Sequence, residues 1–208
     1  MGGSPLDALV MAGGLGTRLQ RGEKPMVRLL GRPLIDWVVS ALRDSSVDGV
    51  LVATTASVPE TMEWAEGEGL SVVETPGEGY VPDMIFAVEE TEITEPVLIV
   101  MADLPLLRGE IVDEIIEVYE RVHQPALSVH TPLELSRRIG GKPDALFNYH
   151  GRFIVPSGVN VLLGSKIRFE QEDYHLILDR VELAVNVNSP RDLAICEALL
   201  RGELNIRS

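Results

Sequence analysis

Four polar residues in this sequence have the types and spacing to do chemistry together: Arg18 and Lys24 behind a glycine-rich turn, Asp103 at the end of an apolar run, and Asn188 ahead of the last helix. The first two belong to the stretch Leu9 to Pro25, LVMAGGLGTRLQRGEKP. Glycine has no Cβ, so a loop through Ala12-Gly13-Gly14-Leu15-Gly16-Thr17 can turn successive backbone N–H groups toward one anion. Arg18 and Lys24 add full charges to those dipoles, as a polyphosphate requires. The stretch reads as a triphosphate cradle. The same glycines also suit an ordinary tight turn. The spacing is neither GxGxxG nor GxxxxGK[ST], because Lys24 lies too far along and Pro25 follows it.

Asp103 ends the run VLIVMADLP. Open parallel sheets bind ligands at the carboxyl ends of their strands, and a carboxylate there can ligate Mg²⁺. Asp is equally at home closing a turn after a strand. In NVNSPRDL, Asn186 and Asn188 fall on one side of an extended chain by period two. Asn188 or Ser189 can cap the helix that follows, while the Asn188 amide oxygen can complete a metal shell begun by Asp103. The four histidines (His123, His130, His150, His175) lack metal-ligand spacing and read as structural or surface residues. Cys196, the only cysteine, sits in an apolar-periodic helix as a buried thiol.

These groups need strand ends and helix starts to hold them. Apolar runs predict strands at 6–11, 49–55, 70–74, 96–101 and 126–130, a hairpin over 145–155 turning at His150-Gly151, and strands at 174–178 and 181–187. Helical spacing predicts helices over 33–42, 57–66 (with Ser57 as N-cap), 82–90, 109–122 and 191–200. The polar segment 131–142 reads as a loop or lid. Strands alternating with helices define an α/β class with a mostly parallel sheet, and 208 residues suit a single domain spanning the chain.

The formal net charge of −14 disfavours nucleic acid and anionic membranes as partners. Between Ala12 and Ile35, however, five basic residues (Arg18, Arg21, Lys24, Arg28, Arg32) face Glu23 alone. A basic island around the glycine loop suits a small polyanion. One cysteine precludes an internal disulfide and favours the cytoplasm. No signal peptide, myristoylation pattern or membrane span is expected. The sequence leaves the oligomeric state open, with a homodimer as the working expectation.

AGGxGTRxxxxEKP, the strand-ending Asp103 and the closing NVNSPRDL together resemble the nucleotidyltransferase superfamily, whose three-layer α/β sandwich is GT-A-like. Within it, LDALVMAGGLGTR, EKPMVRLLGRPLIDWVV, ETPGEGYVPD, MADLP, VPSGVNV and VELAVNVNSPRDLAICEALL are most similar to the archaeal guanylyltransferases that act on adenosylcobinamide phosphate. Residues 133–152 match least. The resemblance implies transfer of GMP from GTP to that corrinoid phosphate, with Mg²⁺ as cofactor. It implies that the loop from Ala12 through Gly13, Gly14, Gly16 and Thr17 cradles the β- and γ-phosphates. Arg18 would then steady the departing pyrophosphate, and Lys24 would bridge the two reacting phosphates. Asp103 and Asn188 would hold the metal. Guanine is expected near Thr54, Thr55, Thr75, Gly77 and Gly79, with Asp83 accepting from the base, and the acceptor near Pro156, Gly158 and Asn160. Molybdenum-cofactor guanylyltransferases and sugar-1-phosphate nucleotidyltransferases are the rival enzyme readings. A catalytically inactive nucleotide-sensing subunit is the rival from another class, and retention of Arg18, Lys24 and Asp103 together argues against it.

Overall fold

The computed structural model describes residues 6–19 and 22–204. Arg21 of the basic cluster lies outside them. Strand β1 (Asp7–Met11) forms the middle of an eight-stranded sheet, flanked in parallel by β4 (Val50–Thr55) and β6 (Pro96–Met101). Its continuous apolar run follows from burial on both faces. Beyond β4 lies β5 (Ser71–Thr75), also parallel. On the other side, β9 (Arg152–Leu163) runs antiparallel to β6 and to β7 (Ala126–Pro132), and β10 (Asp173–Ile177) closes the edge parallel to β7. The order is β10-β7-β9-β6-β1-β4-β5, with β8 (Phe147–Tyr149) paired to β9. A two-stranded ribbon, β2 (Arg28–Leu29) with β3 (Arg32–Pro33), stands apart.

Helices make the outer layers of the sandwich. Helices α1 (Leu34–Arg43) and α4 (Gly109–Arg121) bury Ile35, Val38, Leu42, Ile111, Val112 and Ile115 against Val10, Leu98 and Val100 on one face. Each such aliphatic side chain contributes about 1.5–3 kcal/mol relative to exposure. Helix α2 (Pro59–Gly67) packs on the same side with a thinner apolar stripe, centred on Ala65. Helix α3 (Tyr80–Glu90) covers Leu9, Met11 and Ile99 on the opposite face with Met84, Ala87 and Val88. Helix α6 (Pro190–Leu200) joins a third cluster that holds Leu29, Leu34, Val187 and the fully buried Cys196.

Three expectations need correction. The segment 131–142 contains α5 (Leu133–Arg138), whose Leu133, Leu135 and Ser136 are buried and followed by buried Ile139, so it is packed structure rather than a lid. Residues 181–187 form a single 3-10 turn (Val181–Leu183) and irregular chain, since Val185 and Val187 pack between helices and not in a sheet. The hairpin turning at His150-Gly151 is present as β8 and the start of β9, and β9 then continues through Pro156 and Gly158. Ser57 does not cap α2. Val58 occupies the cap position without a side-chain bond, and a distant carboxylate serves that end instead.

Candidate active site

The glycine loop leaves β1 where the Ala12 amide donates to Ala53 O (2.8 Å). It closes on itself when the Lys24 amide donates to Gly14 O (3.1 Å). At Gly16 the chain turns with φ +61°, and a Cβ there would lie 3.0 Å from Lys24 Cβ. Only glycine accepts both the conformation and the crowding. The loop therefore delivers Lys24 to a fixed place.

Glu23 fixes it further. Its Oε1 accepts from the Glu60 amide (2.8 Å), and its Oε2 accepts from the Thr61 amide (2.7 Å) and the Thr61 hydroxyl (2.6 Å). These are orphan donors of the first turn of α2, which carries positive partial charge. The residue before the catalytic candidate thus bolts it to a helix end. No sequence signal beyond the Glu-Lys-Pro order marks this role.

The Lys24 ammonium reaches across to Asp103, with which it is ion-paired, and donates to Asn188 Oδ1 (2.6 Å). Asp103 is 5% exposed, in the turn after β6. Its second oxygen accepts from Asn186 Nδ2 (3.2 Å), which also donates to Ser157 O (3.1 Å). The Asp103 carboxylate is therefore bound to side chains of the site rather than spent on a turn. The question of the α6 cap is answered the same way. Ser189 Oγ accepts from the Asp192 amide (3.3 Å), while Asp192 Oδ2 accepts from the Asn188 amide (3.1 Å) and the Ser189 hydroxyl (2.8 Å). This reciprocal cap leaves the Asn188 side chain free for Lys24.

Two clefts flank this centre. One is lined by Met11, Gly13, Gly14, Leu15, Thr55, Ser57, Gly77, Gly79, Tyr80, Asp83 and Met101. The expected guanine residues divide here. Thr55, Gly77, Gly79 and Asp83 line the cleft, but Thr54 and Thr75 are buried behind it, with the Thr75 hydroxyl donating to Thr54 O (2.9 Å). The Asp83 carboxylate accepts from the amides of Gly77 (2.9 Å), Glu78 (3.1 Å) and Gly79 (3.3 Å), so it shapes the loop from within. The other cleft is lined by Pro156, Gly158, Asn186, Asn188 and Asp192, with Lys142 to Ala145 on its outer wall. Gly158 has φ +85°, and a Cβ there would lie 2.9 Å from Met101 Cγ and 3.0 Å from Asn186 Nδ2. Asn160, expected beside Gly158, lines a further cleft, with its side chain near Tyr80. Burial raises the Tyr80 pKa, and the neighbouring Asn160 side chain pulls it partly back.

The basic island disperses. Arg18 donates from Nη1 to both carboxylate oxygens of Asp144 (3.0 and 2.9 Å), an exposed pair spanning from the loop to the second cleft. Arg32 pairs with Asp36 (2.7 Å) and lies over the Trp37 ring, while Arg28 donates to Gly31 O (2.7 Å). Ala12 is buried at the loop's root, and Gly16 and Thr17 lie on its outer turn, outside the residues lining the cleft.

The donor chemistry fits a lightly held Mg²⁺. Two oxygens, Asp103 Oδ2 and Asn188 Oδ1, converge on one cation, the Lys24 ammonium. Among the described residues no group of three or more His, Cys, Asp and Glu side chains is placed to hold a metal. Such a site suits an ion that keeps its waters and takes the rest of its shell from phosphates.

A phosphate-sized loop, a lysine between two clefts and a β10-β7-β9-β6-β1-β4-β5 sheet define a nucleotidyltransferase of the GT-A-like class. In keeping with that, the fold superposes on CMP:2-keto-3-deoxy-manno-octonic acid synthetase complexed with CTP at a TM-score of 0.73 and 14% identity, over 97% of this chain and 100% of that one. Residues 8–135 match the MobA-like NTP transferase domain, and the chain belongs to that family. It is 34% identical to the adenosylcobinamide-phosphate guanylyltransferase of Methanocaldococcus jannaschii, over 94% of this chain and 98% of that protein. It is 29% identical to the molybdenum cofactor guanylyltransferase of Shewanella pealeana, over 51% of this chain and 52% of that protein.

Proposed function

We propose that this protein transfers GMP from GTP to adenosylcobinamide phosphate. The acceptor's phosphate oxygen attacks the α-phosphorus in line and forms a new P–O bond. The bond from that phosphorus to the α,β-bridging oxygen breaks, and pyrophosphate leaves with the electron pair. The products are adenosylcobinamide-GDP and pyrophosphate. A phosphate nucleophile is already ionised near neutral pH, so the chain supplies charge and alignment in place of a general base. The observation that carries the reading is the Lys24 ammonium, held by Asp103 and Asn188 between the two clefts.

Lys24 aligns the attacking phosphate with the α-phosphate. Amides of Gly13 and Gly14 receive the outer phosphates, and Arg18 turns from Asp144 to the leaving pyrophosphate. Guanine lies against Thr55, Gly77 and Gly79. With the Asp83 carboxylate holding three amides of that loop, base reading falls to backbone groups the loop presents. Asp103 and Asn188 would hold Mg²⁺, which supplies charge neutralisation of the phosphates when bound. Extended likeness to a guanylyltransferase over nearly the whole chain supports the corrinoid acceptor over a pterin or sugar phosphate. A lone cysteine supports a cytoplasmic setting, and no helix among the described residues is long and apolar enough to cross a membrane.

A pyrophosphate-release assay with GTP and Mg²⁺ tests this against adenosylcobinamide phosphate, mannose 1-phosphate and molybdopterin. Turnover is expected with the corrinoid alone. Preferential turnover with either other acceptor would replace the assignment.

A further inference from the structure

One row of residues crosses the sheet from β1 to β10: Leu9 beside Ile99, Ile99 opposite Asn160, Asn160 opposite Ser128, and Ser128 beside His175. Paired residues of neighbouring strands face the same side. Leu9 and Ile99 are fully buried in the cluster that α3 covers. Past β6 the same face turns polar, and a cleft opens over β9, β7 and β10, walled by the β8 arm. The histidines read from the sequence as structural or surface residues are its centre. His130 is 5% exposed, and its ring lies 5.1 Å from that of His175, which lies 4.7 Å from the ring of Tyr149. Phe147, half-exposed, stands at the lip.

This lining is short of partners. The His175 Nδ1 and the Asp173 Oδ1 are buried with no hydrogen-bond partner, the nearest approach being the 3.7 Å between His175 Nδ1 and Asp173 Oδ2, which a folded chain tolerates poorly unless something fills the cleft. His130 bonds Ser128 O through Nδ1 (3.1 Å), and burial, first of all, pushes its pKa down, so it is neutral at physiological pH. Asp173 is the one carboxylate among the residues lining the cleft, and no Lys or Arg lines it. The walls therefore offer imidazole and amide groups, one carboxylate and aromatic faces. That chemistry suits primary carboxamides and a broad apolar ring rather than a phosphate. The cleft also adjoins the site: Pro156 lines both it and the cleft beside Asn188, and Asn160 stands near Tyr80 of the nucleotide cleft.

We propose that this cleft holds the body of the acceptor, a large ligand whose peripheral carboxamides meet His130, His175 and Asn160 while a ring edge rests on Phe147. The inference rests on the guanylyltransferase reading above, since a corrinoid presents those groups on the molecule that carries the attacking phosphate. It leaves the phosphate itself to reach Lys24 past Pro156.

Equilibrium dialysis of adenosylcobinamide phosphate, read by corrin absorbance, tests it on the intact protein and on Phe147→Ser and His175→Ala, both at partly exposed side chains. Each variant is expected to bind the corrinoid about tenfold more weakly, with GTP affinity within about twofold of the parent. Unchanged corrinoid affinity in both variants overturns the proposal, as does a parallel loss of GTP affinity. A parent protein that binds the corrinoid but transfers no GMP overturns the functional reading alone, with the variants still judging the cleft. A parent that does not bind it overturns both.

Discussion

Before any substrate arrives, Lys24 and Asp103 are each other's counter-ion, and both are largely buried. Removing one partner strands the other charge, which costs several kcal/mol in a buried pair. Lys24→Ala is therefore expected to lose stability along with activity and is a poor probe of mechanism. Asp103→Asn keeps the shape and one acceptor oxygen, enough for the ammonium, and gives up the bond that Asn186 Nδ2 donates. It should lose less stability than Lys24→Ala and keep a native circular dichroism spectrum at about 25 °C, while pyrophosphate release falls by about 10²–10³-fold, as for loss of one strong charge contact in the transition state. Turnover within threefold of the parent would refute the role given to Asp103. Cys196 tests a different residue-scale property. Burial first, then Asp192 and Asp103, pushes its thiol up to about 12. The unfolded chain ionises near 9 and the folded chain does not, so unfolding gains as pH rises through that interval, and the stabilisation is intact only below about pH 9. The urea midpoint should fall between pH 9 and pH 11, and Cys196→Ala should reduce that slope. An identical slope in the variant would show that the thiol stays uncharged for other reasons.

Helix α2 has little apolar surface of its own, so its attachment at the N-terminal end matters more than for α1 or α4. Glu23→Ala removes three hydrogen bonds at once from that end. The loss should amount to about 1–2 kcal/mol, or roughly 2–8 °C in Tm for a chain of this size. Because Glu23 also anchors Lys24, kcat should drop well beyond KM for GTP, and Glu23→Gln should restore more of Tm than of kcat. Equal effects on both kinetic constants would make the carboxylate purely structural. At this scale the sequence was most legible where one physical cause dominated. The buried parallel strands β1, β4 and β6 announce themselves as apolar runs, and the strand-ending Asp103 and the glycine turn follow from them. It was least legible where long-range packing decided. Pro156 and Gly158 are expected only to lie near the acceptor, yet β9 carries them, with its register to β7 shifting between Asn160 and Pro156 and the glycine letting Met101 and Asn186 approach. Likewise α5 is too short and too polar to show a periodic stripe, and Val185 and Val187 pack as core without any sheet partner. The histidine cleft left no local trace, since its members come from β7, β10 and the β8 arm and meet only through strand order.

Across the whole molecule, charge decides how a polyanion comes near. The sequence suggests a basic island, but in the folded chain three of its four described members are answered locally, Arg18 by Asp144, Lys24 by Asp103 and Arg32 by Asp36, while Arg28 bonds the Gly31 carbonyl. What remains at long range is the field of a chain with net charge −14. Nucleotide binding is then a contest between short-range contacts inside the site and repulsion outside it. The Debye length is about 30 Å at 0.01 M salt and about 8 Å at 0.15 M, so added salt removes the repulsion across the surface while screening partly buried contacts much less. At fixed free Mg²⁺, KM for GTP is accordingly expected to fall several-fold between those two ionic strengths, the opposite of the trend for a basic anion-binding surface. A KM that rises steadily with salt over this range would mean that the cationic side chains work as an open attracting rim, unpaired in solution. A KM that falls in Arg18→Gln as it does in the parent would show that the exposed Arg18–Asp144 pair contributes nothing to approach, as expected of a surface ion pair, and that Arg18 acts only once pyrophosphate is leaving.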